Sequence, residues 1–521
     1  MIYLIQNNGM YNNYIRAMLM AFYSGVKIVE KIENGYEIDF TFVANFDSES
    51  TTLSVHNGLA DAEHDDRTDL SADEIISTKI MGDFNNKQIF RNELKKAMYL
   101  LMTEKTGREL PWGDLTGVRP TKIAMAKLND GCTYEESVRN YLDTYLVSKR
   151  KAELATKVAI NEMRLVETID LHNDYCLYFG IPFCPSRCLY CSFTSYPIAV
   201  YKDKAKQYVE RLKEELSYIS EIYKDRNPVA IYMGGGTPTS IDAELLDDLL
   251  THVNKVFNIH KGVEARGSLV TESATEGNSG VADEDGQLCE FTVEAGRPDS
   301  ITREKLMVMK KHGVTRISIN PQTMNDETLR TIGRAHTSAR TKEAFALARE
   351  CGFDNINMDI IAGLPGERLE SMKHTLDEIK ALNPESITVH SLAIKRAANL
   401  KQQMSEYGDT INKDMDAMLD MVSDAAADLS MEPYYLYRQK NIGGNLENVG
   451  YAKPGRECLY NVLIMEELTD IIAAGAGEST KLVYHSENRV ERVENCKSVD
   501  DYIDRFDEML NRKRVGMKDK L

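Results

Sequence analysis

The sequence predicts an α/β fold, a partial and open (β/α)6 barrel with an N-terminal α+β accessory domain before it and a small C-terminal α+β domain after it. Two observations lead there. Between about residues 174 and 391, six short apolar runs alternate with helical segments, the pattern of strand–helix units that build a parallel sheet with helices outside it. Six units fall short of the eight that close a full barrel. At 521 residues the chain is also too long for one core, so two or three domains are expected. The boundaries are read as 1–171, 172–395 and 396–521.

In the first region, Ile2–Ile5 is strand-like and Tyr36–Val43 alternates like a strand. A helix is expected near Arg91–Thr106, apolar at Leu94, Ala97, Met98 and Leu101. Leu115-Thr-Gly-Val-Arg-Pro-Thr121, just after the single tryptophan Trp112, reads as a structured turn. In the barrel, strands are expected at Cys176–Pro182, Val229–Met233, Glu290–Glu294, Thr315–Asn320, Ile356–Ile361 and Ser386–Ser391. Helices are expected at Lys202–Tyr223, Ala243–Phe257, Arg303–His312, Thr341–Cys351 and Leu369–Leu382. The stretch Glu264–Gln287 is rich in Gly, Ser, Thr and acids. That is the composition of a mobile insertion, a neutral loop with a lid as the alternative. The last region has an amphipathic helix at Asn412–Leu429, strands at Tyr434–Arg438 and Leu482–His485, and a terminal helix at Asp500–Arg512.

Composition narrows the function. Hydrophobic residues make up 42% and charged residues 28%, ordinary for a globular protein. A net charge of −18 argues against nucleic acid as the main partner. No apolar run reaches the ~18–20 residues of a membrane span, and the start lacks a basic segment followed by a long apolar one. A cytoplasmic location is expected. In a reducing compartment the nine cysteines are read as thiols and metal ligands, not disulfides.

Cys184, Cys188 and Cys191 carry the chemistry, within Ile-Pro-Phe-Cys-Pro-Ser-Arg-Cys-Leu-Tyr-Cys191. A closed zinc site or an ordinary iron–sulfur cluster takes four protein ligands. Three thiolates on a tight loop after a strand therefore suggest a four-iron cluster with one iron open. The amine and carboxylate of S-adenosylmethionine (SAM) can chelate that iron, and an electron passed into the sulfonium leaves a 5′-deoxyadenosyl radical. Zinc with a fourth ligand elsewhere, or three unrelated thiols, is the alternative. Gly234-Gly-Gly-Thr-Pro-Thr239 follows the second strand directly. Its glycines admit a ligand close to the backbone, and its spacing matches neither the phosphate-loop nor the dinucleotide fingerprint.

These motifs, followed by Arg316-Ile-Ser-x-x-x-Gln322, Gly333-Arg-x-His336 and Asp359-x-x-x-Gly-Leu-Pro365, resemble the radical SAM enzymes of the oxygen-independent coproporphyrinogen III oxidase family. Leu-Thr-Gly-Val-Arg-Pro-Thr121 and Asn-Leu-Glu-Asn-Val-Gly-Tyr451 are similar to the HemZ-type coproporphyrinogen dehydrogenase branch. The resemblance implies a [4Fe–4S] cluster on Cys184, Cys188 and Cys191, with Tyr178 and Tyr190 flanking SAM. It implies Gly235, Gly236 and Thr237 at the methionine end, and Glu294 on the ribose hydroxyls. Gln322, Arg334, Asp359 and Ala393 match positions that hold a second SAM. For Arg334 and Asp359 the alternative is a structural ion pair. The implied reaction converts two propionates of coproporphyrinogen III to vinyl groups, giving protoporphyrinogen IX in haem biosynthesis, with a small donor protein such as a flavodoxin or ferredoxin supplying electrons.

A tetra-acid substrate calls for Arg or Lys clamps. Lys395, Arg396 and Arg438 are candidates, with solvated surface positions as the simpler reading. The sequence also departs from the family. Phe193 stands where coproporphyrinogen enzymes carry a further cysteine, and Glu447-Asn-Val-Gly-Tyr-Ala452 stands where the related haem chaperones carry His-Asn-x-x-Tyr-Trp. A haem-binding chaperone is therefore the second functional expectation.

Overall fold

The computed structural model describes residues 1–23, 25–33, 35–58, 74–81, 87–193, 195–257, 290–393, 414–438 and 446–520. The expected insertion at 264–287 and the candidate clamps Lys395 and Arg396 lie outside them. The chain forms two compact units.

Residues 1–157 and 437–447 form the first unit. Its sheet contains β1 (Ile2–Gln6), β2 (Ile28–Val29), β3 (Phe40–Phe46), β4 (Ser50–Asn57) and β5 (Glu74–Met81), in the order β2-β1-β3-β4-β5. The second expected strand starts at Phe40 rather than Tyr36. Gly35, at φ +93, is in a turn closed by the Tyr36 N–H on the Glu33 carbonyl. Helices α1 (Asn12–Phe22) and α2 (Lys87–Thr106) bury Ile15, Met18, Leu19, Leu94, Met98 and Met102 with the sheet's Leu4, Phe42 and Leu53. Three further helices follow, α3 (Thr121–Asn129), α4 (Tyr134–Tyr145) and α5 (Lys149–Val166). A reciprocal capping box between Thr133 and Glu136 starts α4.

Arg438 belongs to this unit and is buried, not solvated. Its guanidinium lies 5.3 Å from the Trp112 ring and donates to the Leu115 carbonyl at 2.9 Å. Burial pushes its pKa down to about 10. These contacts are structural, which corrects both readings of Arg438 taken from the sequence.

Residues 158–436 and 448–521 form the second unit. Its parallel strands are β6 (Asp174–Ile181), β9 (Asn227–Gly235), β10 (Glu290–Gly296), β11 (Arg316–Ile319), β12 (Ile356–Ala362) and β13 (Ser386–Ser391), with the short pair β7 (Phe183–Cys184) and β8 (Tyr196–Pro197) between the first two. Five helices connect them as expected: α6 (Ile198–Ile222), α7 (Ala243–Phe257), α8 (Arg303–Lys311), α10 (Ser338–Glu350) and α11 (Leu369–Leu382), with a short α9 (Asp326–Thr331) before α10. The apolar stripe Leu246, Leu249, Leu250 and Val253 places α7 against the sheet. Nearly every residue of β6 is buried, as in a parallel strand covered on both faces.

Most of the described C-terminal region clusters in this same unit. It supplies α12 (Met415–Asp428), β14 (Glu432–Arg438), β15 (Glu447–Ala452), α13 (Leu459–Glu466), β16 (Asp470–Ala474), β17 (Ser479–Tyr484), β18 (Arg489–Glu494), α14 (Val499–Asp504) and α15 (Phe506–Gly516). Its strands hydrogen-bond to both edges of the barrel sheet, in the order β14-β15-β13-β12-β11-β10-β9-β6-β16-β17-β18. Strand β15 is antiparallel to β13, and β16 is a seventh parallel strand beside β6. The sheet stays open, as a partial barrel should. The terminal helix is broken at Arg505, whose backbone leaves the helical region. Among the described residues no helix is long and apolar enough to cross a membrane.

A buried ion pair fastens this C-terminal region to the barrel. Lys513 of α15 meets Glu215 of α6 at 2.9 Å, both side chains fully buried. Glu215 also accepts from Asn495 Nδ2 (2.8 Å), the Gly475 N–H (2.8 Å) and Tyr502 OH (2.6 Å). Removing one member leaves the other charge uncompensated. Lys513→Met is therefore expected to cost about 3–5 kcal/mol, read as a lowered denaturant midpoint with an unchanged slope.

Candidate active site

The site forms at the C-terminal ends of the parallel strands, the end where such folds gather their reactive groups. Strand β6 ends at Ile181, and β7 pairs with β8 to close the loop that carries the three cysteines. The Leu189 N–H bonds the Ile332 carbonyl at 2.9 Å, and the Cys191 N–H closes a turn on Cys188 O at 3.2 Å. All described cysteines are free thiols. Burial pushes the Cys184 and Cys191 thiols above their ordinary value, so ligation must displace protons. Among the described residues, no three His, Cys, Asp or Glu side chains converge on one point for a single ion. A four-iron cube does not need that convergence, because each of its irons takes one thiolate.

The glycine loop lies directly against this cysteine loop. The Gly236 N–H bonds Ile181 O and the Thr237 N–H bonds Phe183 O, both at 2.8 Å. Thr237 Oγ1 sits 3.4 Å from Cys184 Sγ. A Cβ on Gly236 would stand 2.6 Å from Phe183 O and 3.0 Å from Cys184 Sγ, so only glycine fits beside that thiol. Gly235 has φ +101, outside the range of ordinary side chains. A cradle left free by missing side chains, next to three free thiols, fits a cluster with a small chelating ligand.

Inside the barrel, Tyr178 and Tyr232 stack at 6.0 Å, and Tyr460 of α13 stacks on Tyr232 at 4.5 Å. Tyr232 OH donates to Glu294 Oε1 at 2.6 Å. Burial raises Glu294 to about 7, and the charge of Asp359 adds to the rise. Tyr190 lies beside Cys188 and Arg334, and burial raises its phenol strongly.

Gln322, Arg334 and Asp359 form a neighbouring group. Gln322 adopts φ +68, and its N–H bonds Asp359 O at 2.9 Å while its carbonyl accepts from the Ile361 N–H at 2.9 Å. Arg334 and Asp359 do not form the ion pair considered as an alternative. Arg334 donates to the carbonyls of Asn320 and Pro321, and its buried Nε–H has no partner among the described residues. Asp359 accepts from Asn357 Nδ2 at 2.6 Å and lies 3.9 Å from His390 Nε2. Burial alone would raise Asp359, but His390 and Asn357 hold it below its usual range. Ala393 is half-buried, two residues past the end of β13.

Several site residues escaped the sequence reading. Arg297 is buried and donates to Cys188 Sγ at 3.7 Å while paired with Asp299 at 2.9 Å. Its place three residues after Glu294, just past a strand end, was the available signal. Tyr232 and Tyr460 had none, because Tyr460 comes from the C-terminal region and Tyr232 reads as an ordinary strand residue.

A model of the radical SAM superfamily matches residues 178–379. The oxygen-independent coproporphyrinogen-III oxidase-like protein HemZ of Bacillus subtilis (strain 168) is 37% identical over 437 residues, covering 83% of this chain and 82% of that protein. The chain belongs to the radical SAM superfamily, within the HemZ-type branch of the oxygen-independent coproporphyrinogen III oxidase family. The heme chaperone HemW of the same organism is 34% identical over 220 residues, covering 42% of this chain and 50% of HemW. Among solved structures, the coproporphyrinogen III oxidase HemN of Escherichia coli aligns with a TM-score of 0.49 at 19% identity, covering 68% of this chain and 73% of HemN. Radical SAM proteins use a [4Fe–4S] cluster and SAM, and the cysteine loop and glycine cradle are the groups that would hold them here.

Two outcomes are expected. Cys188→Ala should abolish the visible absorbance of the reconstituted cluster; full retention would remove that thiol from the ligand set. Glu294 holds a proton in the folded state that the unfolded chain releases, so its contribution weakens stability as pH rises from about 4.5 toward 7. Glu294→Gln in the cluster-free protein should be about 1–3 kcal/mol more stable than wild type at pH 8, with the gap closing toward pH 5. Denaturant titrations at the two pH values check this.

Proposed function

We propose that this protein carries out oxygen-independent oxidative decarboxylation of coproporphyrinogen III to protoporphyrinogen IX. The reading is carried by the likeness to HemZ, which extends over 82% of that protein and well beyond the superfamily core. When bound, the cluster and SAM supply one-electron chemistry that removes a hydrogen atom from an unactivated carbon. Each propionate then loses one hydrogen atom, carbon dioxide and one electron to become a vinyl group, so an electron acceptor is required.

The chain's own residues bind, orient and exclude water. Cys184, Cys188 and Cys191 hold three irons. Gly235, Gly236 and Thr237 receive the methionine end of SAM, with Tyr178 and Tyr190 flanking it. Glu294 accepts from the ribose hydroxyls, as a carboxylate backed by the Tyr232 hydroxyl is able to do. Gln322, Arg334, Asp359 and Ala393 border a second SAM, and the spare Nε–H of Arg334 offers it a donor. A flavodoxin or ferredoxin would supply electrons in the cytoplasm.

A second reading, a haem-binding chaperone, is favoured by the likeness to HemW and by Phe193 in place of the fourth cysteine. The anaerobic, cluster-loaded protein given dithionite, SAM, coproporphyrinogen III and a one-electron acceptor is expected to form 5′-deoxyadenosine and protoporphyrinogen IX. Tight haem binding without porphyrinogen turnover would replace the decarboxylase reading with the chaperone one.

A further inference from the structure

Glu478 stands in the barrel without an assigned task. It follows β16, the seventh parallel strand, in the sequence Gly475-Ala-Gly-Glu478. Because β16 runs parallel to β6, this loop emerges at the same end of the barrel as the cysteine loop. The loop is fitted closely to its neighbours. Tyr208 OH donates to Gly180 O at 2.6 Å and accepts from the Ala476 N–H at 3.1 Å. The Gly475 N–H is held by Glu215, the Gly477 N–H by Cys496 O at 2.7 Å, and Glu478 O by the Asn495 N–H at 3.0 Å.

This frame sets the Glu478 side chain over Gly180. A Cβ on Gly180 would lie 2.1 Å from Glu478 Oε1. Gly180 pairs across the sheet with Gly234, whose own vacant side-chain space borders Tyr178 OH and Glu294 Oε2. Two carboxylates therefore face one glycine-lined space beside the cysteine loop.

They are treated very differently by their surroundings. Glu294 accepts from Tyr232, whereas no described residue donates a hydrogen bond to the Glu478 carboxylate. The charged and titratable groups around Glu478 are Glu294, Glu215, Lys513, Tyr178, Tyr208 and Tyr460. The one cation among them, Lys513, is committed to Glu215 at 2.9 Å. Burial raises Glu478 to about 8, with the Glu294 and Glu215 charges adding to the rise. A half-buried carboxylate on a fixed backbone with no donor is costly unless a ligand supplies the missing charge.

We propose that Glu478 is a SAM-binding residue that reads the positive charge of the sulfonium, and so discriminates SAM from its uncharged thioether relatives. This rests on the radical SAM reading of the site but not on the identity of the tetrapyrrole. Glu478 would hold SAM tightly and release thioether products readily, because the charge it recognises is gone from them.

Titration calorimetry of the oxidised, cluster-loaded protein at pH 8.5 tests the assignment, with SAM and S-adenosylhomocysteine as probes. Wild type is expected to prefer SAM by about tenfold, the size of one partly screened charge contact. Glu478→Gln should reduce the preference to within about threefold, mostly by weakening SAM. Gly180→Ala keeps the charge but displaces the carboxylate, and should give an intermediate preference. Equal affinities in wild type, or a full preference in both variants, overturns the assignment. So does an E478Q protein that keeps its SAM preference while losing affinity for coproporphyrinogen III, which would place the carboxylate on the substrate. Failure to make protoporphyrinogen IX alongside an intact charge preference would count against the decarboxylase reading alone.

Discussion

The hydrogen-bond register between β6 and β9 governs where a ligand can enter this barrel. Gly180 pairs with Gly234 and Ile181 with Gly235, so two positions without side chains lie side by side on one face. That register depends on an irregularity between Tyr175 and Cys176, where β9 takes up one extra residue after Pro228. Proline cannot donate to the ladder, and such a position tolerates a bulge. Without the extra residue, Gly180 would face Met233 and the two glycines would fall on opposite faces. The cysteine loop and the glycine loop leave these same two strand ends, so a local slip would dismantle both the cradle and the thiol set.

Two buried glutamates at the barrel edge illustrate how the C-terminal region serves this arrangement. Glu215 is saturated, with Lys513, Asn495, Tyr502 and the Gly475 N–H all directed at one carboxylate. It fixes the end of α15 and the loop after β16 to α6. Glu478 sits three residues beyond Gly475 and has no donor among the described residues. The first carboxylate stabilises a geometry, and the second uses that geometry to present a charge. Burial raises Glu478, and the nearby charges of Glu294 and Glu215 add to the rise.

Much of the barrel was legible because its strands and helices obey local rules. The runs at Ala243–Phe257 and Leu369–Leu382 match α7 and α11 end to end, since each carries an apolar stripe at helical spacing. The cysteine and glycine motifs were legible because their chemistry is written in contiguous residues. The C-terminal strands were not. Asp470–Ala474 is a five-residue segment followed by another strand, not by a helix, so no strand–helix unit marks it, yet it pairs with β6 from nearly three hundred residues away. Arg438 misled for the opposite reason. A charged residue at a predicted strand edge reads as solvated, and only the fold brings Trp112 over its guanidinium. Tyr460 and Glu478 reach the glycine-lined space by long-range pairing alone, which a spacing rule cannot register.

Several departures from ordinary folding rules lie at one end of the barrel. Gln322 takes a left-handed backbone conformation that costs a residue with a side chain on the order of 1–3 kcal/mol. It persists because its N–H and carbonyl are both held by β12, through Asp359 and Ile361. Gly235 and Gly236 sacrifice chain rigidity to let one strand end approach Cys184. Among the described residues, Arg334 leaves one buried N–H without a partner and Glu478 a half-buried carboxylate without a donor. At Glu215, by contrast, Lys513, Asn495, Tyr502 and the Gly475 N–H all meet one buried carboxylate. A sequence tuned only for stability would fill the glycine space and pair the stray polar atoms. These particular features lie beside the three thiols, where a charged, chelating ligand would occupy the glycine space and meet the spare polar atoms.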